Sequence, residues 1–202
     1  MNSSPKLHHL NAWDKQASRP VPVISAGIPE LEALLPAGGW PKRGLVEVLL
    51  PDDYTDGLSL FLPALARLSQ QGRWLGLVVP PYLARARVVS DRGVDAARIL
   101  QVNPHKGRSG LWTLESLLRS GNFSVVMAWP GCATELMAKR LEKAASIGHT
   151  LGILFRVETR PFTASRIGLR LRLEADDTGR AVYLLDEQGN RLSGTAPYSA
   201  AH

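Results

Sequence analysis

The sequence contains little that would point to an extracellular, membrane-spanning or metal-dependent protein. Cys132 is its only cysteine among 202 residues, so no internal disulfide can form and a cytoplasmic setting is expected. No apolar run approaches the roughly 20 residues that a membrane-spanning helix needs. The N-terminus also lacks the apolar stretch of a secretory signal. The five histidines show no metal-ligand spacing, which argues against a zinc site.

The remaining composition is typical of one folded domain. Hydrophobic residues make up 45% of the chain and charged residues 21%, enough for a substantial core. The net charge of +6 permits an acidic partner, either nucleic acid or an acidic protein face, without requiring one. We predict a flexible arm over residues 1–27, a domain over 28–188 and a flexible tail over 189–202. Trp13 in the arm is a candidate partner contact, the alternative being that it packs back on the domain.

Apolar runs and helix-period patterns alternate along the domain. Continuous apolar runs of this kind suit strands that are buried on both faces of a parallel sheet. Pro63 should kink the second helix or confine it to two short pieces, and Gly148 should cap the last helix. The predicted strands cover residues 45–50, 74–79, 98–102, 123–128 and 151–155, and the predicted helices cover residues 28–35, 58–68, 82–91, 111–119 and 133–147.

The C-terminal part of the domain has a different period. Leucine alternates with charged residues from Leu169 to Glu174, and a second apolar segment, residues 181–185, follows a turn. A period of two is typical of a strand with one buried face. The predicted fold is therefore α/β, a RecA-like open and mostly parallel sheet with helices on both faces and an antiparallel hairpin at its C-terminal edge.

The segment from Trp40 to Leu60 has the strand, loop and helix order of a phosphate-binding loop. Such a loop needs glycines for its backbone amides, a lysine for the phosphate oxygens and a hydroxyl for the metal. Gly57 and Ser59 match two of these positions, but Leu58 stands where the lysine belongs. The first glycine is replaced by Asp52 or Leu50, depending on register, and Asp53 adds a second carboxylate. Carboxylates there repel phosphate. The loop is degenerate, and we expect no bound nucleotide or other cofactor, no metal ion and no catalytic residue.

The order of these segments resembles the RecA-type ATPase core. The segment 25–35, the turn from Gly38 to Pro41 and the run Val46-Glu47-Val48 reproduce the approach to the RecA phosphate loop. The acidic residues that RecA-type ATPases carry after two later strands are replaced by Pro80-Pro81-Tyr82 and by Ala128-Trp129-Pro130. The resemblance implies the fold without ATP hydrolysis. An ATP-dependent enzyme remains an alternative from a different class.

Two related families share these features. Gly39-Trp40-Pro41, Val79-Pro80-Pro81 and Leu151 to Arg156 are similar to ImuA, the RecA-like accessory protein of translesion synthesis, within the SulA/ImuA family. The segments 68–74 and 118–126 are similar to SulA, the SOS inhibitor of cell division. Because the Gly-Gly-Trp-Pro approach resembles ImuA, we predict an ImuA-type protein, with a SulA-type protein as the alternative.

The two resemblances imply different partners. An ImuA-type protein would bind RecA and the ImuB adaptor, and through them support a DnaE-type polymerase in error-prone synthesis during the SOS response. A SulA-type protein would bind FtsZ and block the growth of its protofilaments. Both are non-catalytic and cytoplasmic.

Arginines supply the remaining candidate contacts. Arg170 and Arg172 should share one face of their strand, where they contact DNA or a partner or merely keep an edge strand solvated. Arg73 and Arg98 match basic positions in SulA-like sequences. The five arginines of the C-terminal cluster, where RecA carries a DNA-contacting loop, are Arg156, Arg160, Arg166, Arg170 and Arg172.

Other reactive or aromatic residues have simpler explanations. Ser59 and Asp56 lack the surrounding pattern of a hydrolase nucleophile, and the loop 106–108 reads as a solvated turn. Trp112 and Trp129 each lie beside an apolar run, so packing in the core is expected for both, with a role as exposed partner anchors as the alternative.

Overall fold

The fold is built around one large sheet. The computed structural model describes residues 22–51, 57–81, 86–103, 109–130, 134–158, 167–176, 179–192 and 194–197. The strands are β1 (Val23–Ile24), β2 (Trp40–Pro41), β3 (Gly44–Leu50), β4 (Trp74–Val78), β5 (Ile99–Val102), β6 (Phe123–Ala128), β7 (Leu151–Val157), β8 (Leu169–Asp176), β9 (Gly179–Leu185) and β10 (Ala196–Pro197). The helices are α1 (Pro29–Leu34), α2 (Leu62–Ser69), α3 (Ala86–Ser90), α4 (Ser109–Arg119) and α5 (Glu135–Gly148).

Within the described ranges, eight strands form the main sheet in the order β10-β9-β8-β3-β7-β6-β4-β5. The six strands from β8 to β5 are parallel to one another, whereas β9 and β10 run antiparallel to their neighbours. The α/β class, the mostly parallel sheet and the antiparallel C-terminal hairpin are confirmed. The hairpin joins the sheet through β8, which pairs in parallel with β3.

β3 separates two cores, because all seven of its residues are buried and alternate residues point to opposite faces. Val46 and Val48 belong to a cluster that includes residues of α1, α2 and α3. Leu45 points to the other face, into a cluster with Leu118 of α4 and Leu141 of α5. Helices therefore cover both faces of the sheet, as the crossover pattern predicts.

Pro63 has the predicted effect on the helix after β3. A 3-10 turn over Leu58–Leu60 comes first, and α2 then begins at Leu62 with Pro63 in its first turn. Proline is tolerated there because the first amides of a helix have no intrahelical partner. The Leu65 amide donates an α-helical hydrogen bond to the Phe61 carbonyl at 2.8 Å.

The C-terminal end of α5 differs from the prediction. His149, not Gly148, takes the left-handed capping conformation, with φ 49° and ψ 44°. Gly148 is the last helical residue, and a Cβ atom there would lie 2.0 Å from the Leu118 carbonyl oxygen. Gly148 is therefore required by the close approach of α4 and α5. The left-handed conformation that ends the helix is adopted by His149.

The chain on both sides of the predicted domain also takes part in pairing. Val23 and Ile24 of β1 pair with β2, and Ala196 of β10 pairs with Val182 of β9. α1 packs against β10, so the two ends of the described chain lie together at one edge of the fold. Described strands therefore lie on both sides of residues 28–188, whereas Trp13 lies outside the described residues.

Candidate functional site

The segment after β3 has apolar packing where a phosphate site would need polar donors. Leu58, at the position of the lysine, is buried in the core. A Cβ atom on Gly57 would lie 2.8 Å from Leu50 Cδ2 and 3.1 Å from the ring of Phe155. Asp52 lies outside the described residues. The described residues that follow the loop, 57–60, therefore contribute side chains to the core.

Four aromatic rings line the same region. Trp40 stacks on Phe61 with ring centroids 4.3 Å apart, and Phe61 meets Phe155 edge-on at 5.8 Å. Trp129, directly after β6, stacks on Phe155 at 4.8 Å. Such pairs add roughly 0.5–1.5 kcal/mol each to the free energy gained from area burial. The packing role predicted for Trp129 is confirmed, and the Gly-Gly-Trp-Pro turn has a structural purpose in placing Trp40.

Ser59 shares this environment. It is buried, so its hydroxyl has no access to a substrate, and a hydrolase role is not supported by its position. Asp56 and the loop 106–108 lie outside the described residues. No group of three or more histidine, cysteine, aspartate or glutamate side chains in the described ranges is placed to hold a metal ion. None of the described helices is long and apolar enough to cross a membrane.

Two of the candidate arginines are held inside the protein by one carboxylate. Glu47, fully buried in β3, accepts a hydrogen bond from Arg156 Nη1 at 2.6 Å and another from Arg170 Nε at 2.6 Å. Arg170 is only 2% exposed, and its Nη1 also donates to the carbonyls of Asp186 and Glu187 at 3.4 and 3.3 Å. The carboxylate thereby joins β3 to the strands on both sides.

Arg172 continues this charged row. Its Nη2 donates to Glu158 Oε1 at 2.6 Å, and both side chains are mostly buried. The strand alternation correctly places Arg170 and Arg172 opposite the leucines of β8, but that face is interior rather than solvated. A glutamate in the middle of an apolar strand, Glu47, indicates a buried partner for these arginines, and this sequence signal was overlooked. Arg160 and Arg166 lie outside the described residues.

Arg73 and Arg98, which directly precede β4 and β5, donate hydrogen bonds to backbone carbonyls of neighbouring turns. The Arg73 guanidinium donates to the carbonyls of Gly121, Gly148 and His149 at 3.0, 3.2 and 3.2 Å, and so binds the C-terminal end of α5. Burial lowers the pKa of Arg73. Arg98 Nη1 donates to the Gly72 carbonyl at 3.1 Å.

A groove of about 400 Å³ runs beside α5. Ala138, Ile147 and Ile167 supply its apolar lining. Glu142 enters it from α5 and accepts a hydrogen bond from the Leu45 amide at 2.9 Å. Burial raises the pKa of Glu142, and the amide contact offsets only part of that effect. The carboxylate anchors α5 to the first turn of β3.

Sequence comparison decides the family. The model of the family described as Cell division inhibitor SulA matches residues 45–152, just over half of the chain. The chain belongs to the SulA family. The Cell division inhibitor SulA of Edwardsiella piscicida is 32% identical over 117 residues, which cover 57% of this chain and 70% of that protein. The corresponding protein of Serratia proteamaculans is 27% identical over 116 residues, covering 57% and 69%.

A solved structure is also similar to this SulA-family chain. The crystal structure of SulA from Pseudomonas aeruginosa aligns with a TM-score of 0.48 and 26% sequence identity, covering 56% of this chain and 98% of that chain.

These findings overturn the predicted ImuA function. The relatives are division inhibitors, so translesion synthesis is the wrong function, and the comparisons do not support RecA, ImuB or a DnaE-type polymerase as partners. The choice of ImuA over SulA rested on the N-terminal Gly-Gly-Trp-Pro approach, which lies before the matched residues 45–152. This turn is explained by the packing of Trp40 on Phe61.

The SulA-matched region exposes several large apolar side chains. Trp112 on α4 is 68% exposed and Leu136 on α5 is 69% exposed, so the expected core position of Trp112 is wrong. Trp74 and Leu100, on β4 and β5, are each 40% exposed. Trp74 is the first residue of β4, and Leu100 lies on the neighbouring parallel strand β5, where it pairs with Gly76. Arg98 directly precedes β5.

Proposed function

We propose that this protein inhibits cell division by binding FtsZ and blocking the growth of FtsZ protofilaments, as a cytoplasmic component of the SOS response. The observation that supports this function is the match of residues 45–152 to the SulA family. Curated relatives described as cell division inhibitors, at 27–33% identity, support it as well. Binding alone is sufficient for such a role, because a bound inhibitor removes FtsZ subunits from polymerisation by mass action.

We further propose that the protein acts without turning over a nucleotide. Leu58 occupies the position where a lysine would meet the phosphate oxygens, and the rings of Phe155 and Trp129 pack nearby. These apolar groups offer none of the donors that a phosphate needs. This apolar packing supports a RecA-like domain that binds FtsZ as a rigid body and does not use ATP.

The FtsZ contact is proposed at the start of β4 and β5. Trp74 and Leu100 supply exposed apolar area there, and Arg98 supplies a positive charge. An exposed tryptophan beside an arginine is the composition typical of binding hot spots. Arg73 has a supporting role, since its hydrogen bonds to the end of α5 hold the turn that precedes Trp74.

Expression in a rod-shaped bacterium tests this function. Wild-type protein should turn dividing cells into filaments, and extra FtsZ should restore division because it exceeds the supply of inhibitor. The variant Trp74→Ser plus Leu100→Ser should be produced at normal levels and lose both filamentation and FtsZ retention in a pull-down. Leu192→Ser, another exposed leucine, serves as the matched control. Normal division in cells that contain folded wild-type protein would contradict the proposal.

A further inference from the structure

A second exposed apolar pair lies on the outer surface of the two longest helices. Trp112 of α4 and Leu136 of α5 each leave about two thirds of their side-chain surface in contact with solvent. Arg140 Nη2 of α5 donates to Glu115 Oε2 of α4 at 2.5 Å. Each apolar residue precedes one member of this ion pair by about one helical turn. Trp112 and Leu136 are therefore level with each other on neighbouring helices.

The charges around this pair are predominantly positive. Glu115 and Glu135 are the acidic side chains on the outer part of the two helices, and Glu142 points inward to the Leu45 amide. The basic side chains are twice as many, and the three whose ion pairs are described remain about half exposed. The four basic residues are Arg119, Lys139, Arg140 and Lys143.

Ion pairs hold part of this surface in place before any partner arrives. Glu115 accepts hydrogen bonds from both Arg140 and Arg119, and these contacts lower its pKa, that from Arg140 most. The two guanidiniums are thereby oriented while keeping donors toward solvent, since their side chains are 51% and 48% exposed. A surface that is ordered in advance loses less conformational entropy on binding.

We propose that the α4–α5 patch, defined as Trp112, Leu136, Arg119, Lys139, Arg140 and Lys143, binds an acidic amphipathic segment of a partner protein. The apolar residues of that segment would cover Trp112 and Leu136, and its carboxylates would meet the basic residues around them. A second copy of this chain is a poor occupant, because two patches of the same net positive charge would face each other.

The patch is separate from the proposed FtsZ contact. Trp74 and Leu100 lie on the sheet at the start of β4 and β5, whereas Trp112 and Leu136 lie on the outside of the helical layer. This inference does not depend on the division-inhibitor function. Variants of one surface leave the other surface intact, so failure of either proposal can be recognised by itself.

Selection from a random peptide library displayed on phage tests the patch. Peptides long enough for about four helical turns are selected on the full-length protein. They are then depleted on the variant Trp112→Ser plus Leu136→Ser. We expect the surviving peptides to be rich in aspartate and glutamate, with apolar residues at helical spacing. Selected peptides that are basic or uncharged, or the absence of any peptide that separates the two proteins, would overturn the proposal.

Binding of a selected peptide, measured by fluorescence anisotropy, gives the quantitative check. The Trp112→Ser plus Leu136→Ser variant should bind at least about tenfold more weakly. The charge-reversed variant Lys139→Glu plus Lys143→Glu should show a similar loss and a weaker dependence on salt. Leu192→Ser should bind like wild type, and all variants should keep the wild-type melting temperature. Equal affinity in every variant would contradict the proposal. So would sedimentation of the wild type as a dimer that the Trp112→Ser plus Leu136→Ser variant dissociates.

Discussion

Charged side chains are buried beside β3, whereas large apolar side chains are exposed on the outer surface of α4 and α5. In the first region, charged side chains are buried around Glu47, and Arg170 is 2% exposed. In the second, Trp112 and Leu136 are about two thirds exposed. The buried charges are compensated within the protein, whereas the exposed apolar groups have no comparable cover on α4 or α5.

The difference shows where this SulA-family protein uses its residues for folding and where it leaves them available for binding. A charge is stable inside a protein only when a counter-charge and hydrogen bonds replace water. Glu47 shares its one negative charge between two arginines and accepts a hydrogen bond from each. An apolar side chain at the surface has no such compensation, and large exposed patches commonly mark interaction sites. The contact surfaces are therefore expected on the SulA-matched half, and the arginines at the end of the chain are expected to be structural.

Glu47→Gln is the strongest way to break this comparison. The amide keeps the shape of the side chain but leaves Arg156 and Arg170 without their counter-charge, so we expect the free energy of unfolding to fall by about 3–5 kcal/mol. Urea denaturation measures the loss. Glu174→Gln, which affects a half-exposed pair with Arg191, is the control and should cost at most about 1 kcal/mol. Equal small losses in both variants would show that the buried network is not structural.

Arg73→Ala should have the next largest effect. It removes hydrogen bonds to three carbonyls, including two at the end of α5, and we expect a loss of roughly 2 kcal/mol in unfolding free energy. Arg98→Ala removes the hydrogen bond to Gly72 and should cost no more than about 1 kcal/mol. Thermal denaturation of the pair checks the order. If Arg98→Ala were the more damaging change, the structural role assigned to Arg73 would be wrong.

The smallest expected effect is a change in pH dependence caused by Glu142. Burial raises its pKa in the folded state, so the folded protein holds this proton more tightly than the unfolded chain does. Its contribution to stability is complete below the unfolded pKa and is lost as the pH rises through the folded pKa. Glu142→Gln keeps an oxygen for the Leu45 amide and removes the titration. The variant should therefore lose less stability than wild type between pH 4 and pH 8, the span chosen around ordinary carboxyl values. An identical pH profile would contradict this assignment.

Strands β3, β4, β6 and β7 could be predicted from the sequence because each is a compact apolar run, whereas the short strands β1, β2 and β10 were not predicted. β6 has the predicted bounds, and β3 and β4 differ from theirs by one residue. The period-two alternation of a strand shows which residues share a face, and it correctly placed Arg170 on the face opposite the leucines of β8. It does not tell whether that face is covered, since the covering groups, such as Glu47 on β3, are far away in sequence.

Trp112 and the capping of α5 illustrate the same limit in helices. Leu111, Leu114 and Leu118 define the buried side of α4, and Trp112 falls outside that side at 100° per residue, a sign that was overlooked. Glycine is the usual residue of a helix C-cap, but Gly148 is needed inside α5 because the Leu118 carbonyl leaves no room for a side chain there. Within the SulA/ImuA family, the ImuA-type function was wrongly preferred over the SulA-type alternative because of the turn before β3, whose Trp40 stacks on Phe61.

Assembly of purified FtsZ in the presence of this protein tests the central claim most directly. FtsZ with GTP is titrated with the full-length chain, and polymer is measured by light scattering and by sedimentation. We predict that polymer decreases in proportion to added protein and that inhibition ends near a stoichiometric ratio, because the protein removes subunits by binding. The Trp74→Ser plus Leu100→Ser variant should have little effect. Unchanged FtsZ assembly in the presence of excess folded wild-type protein would contradict the account.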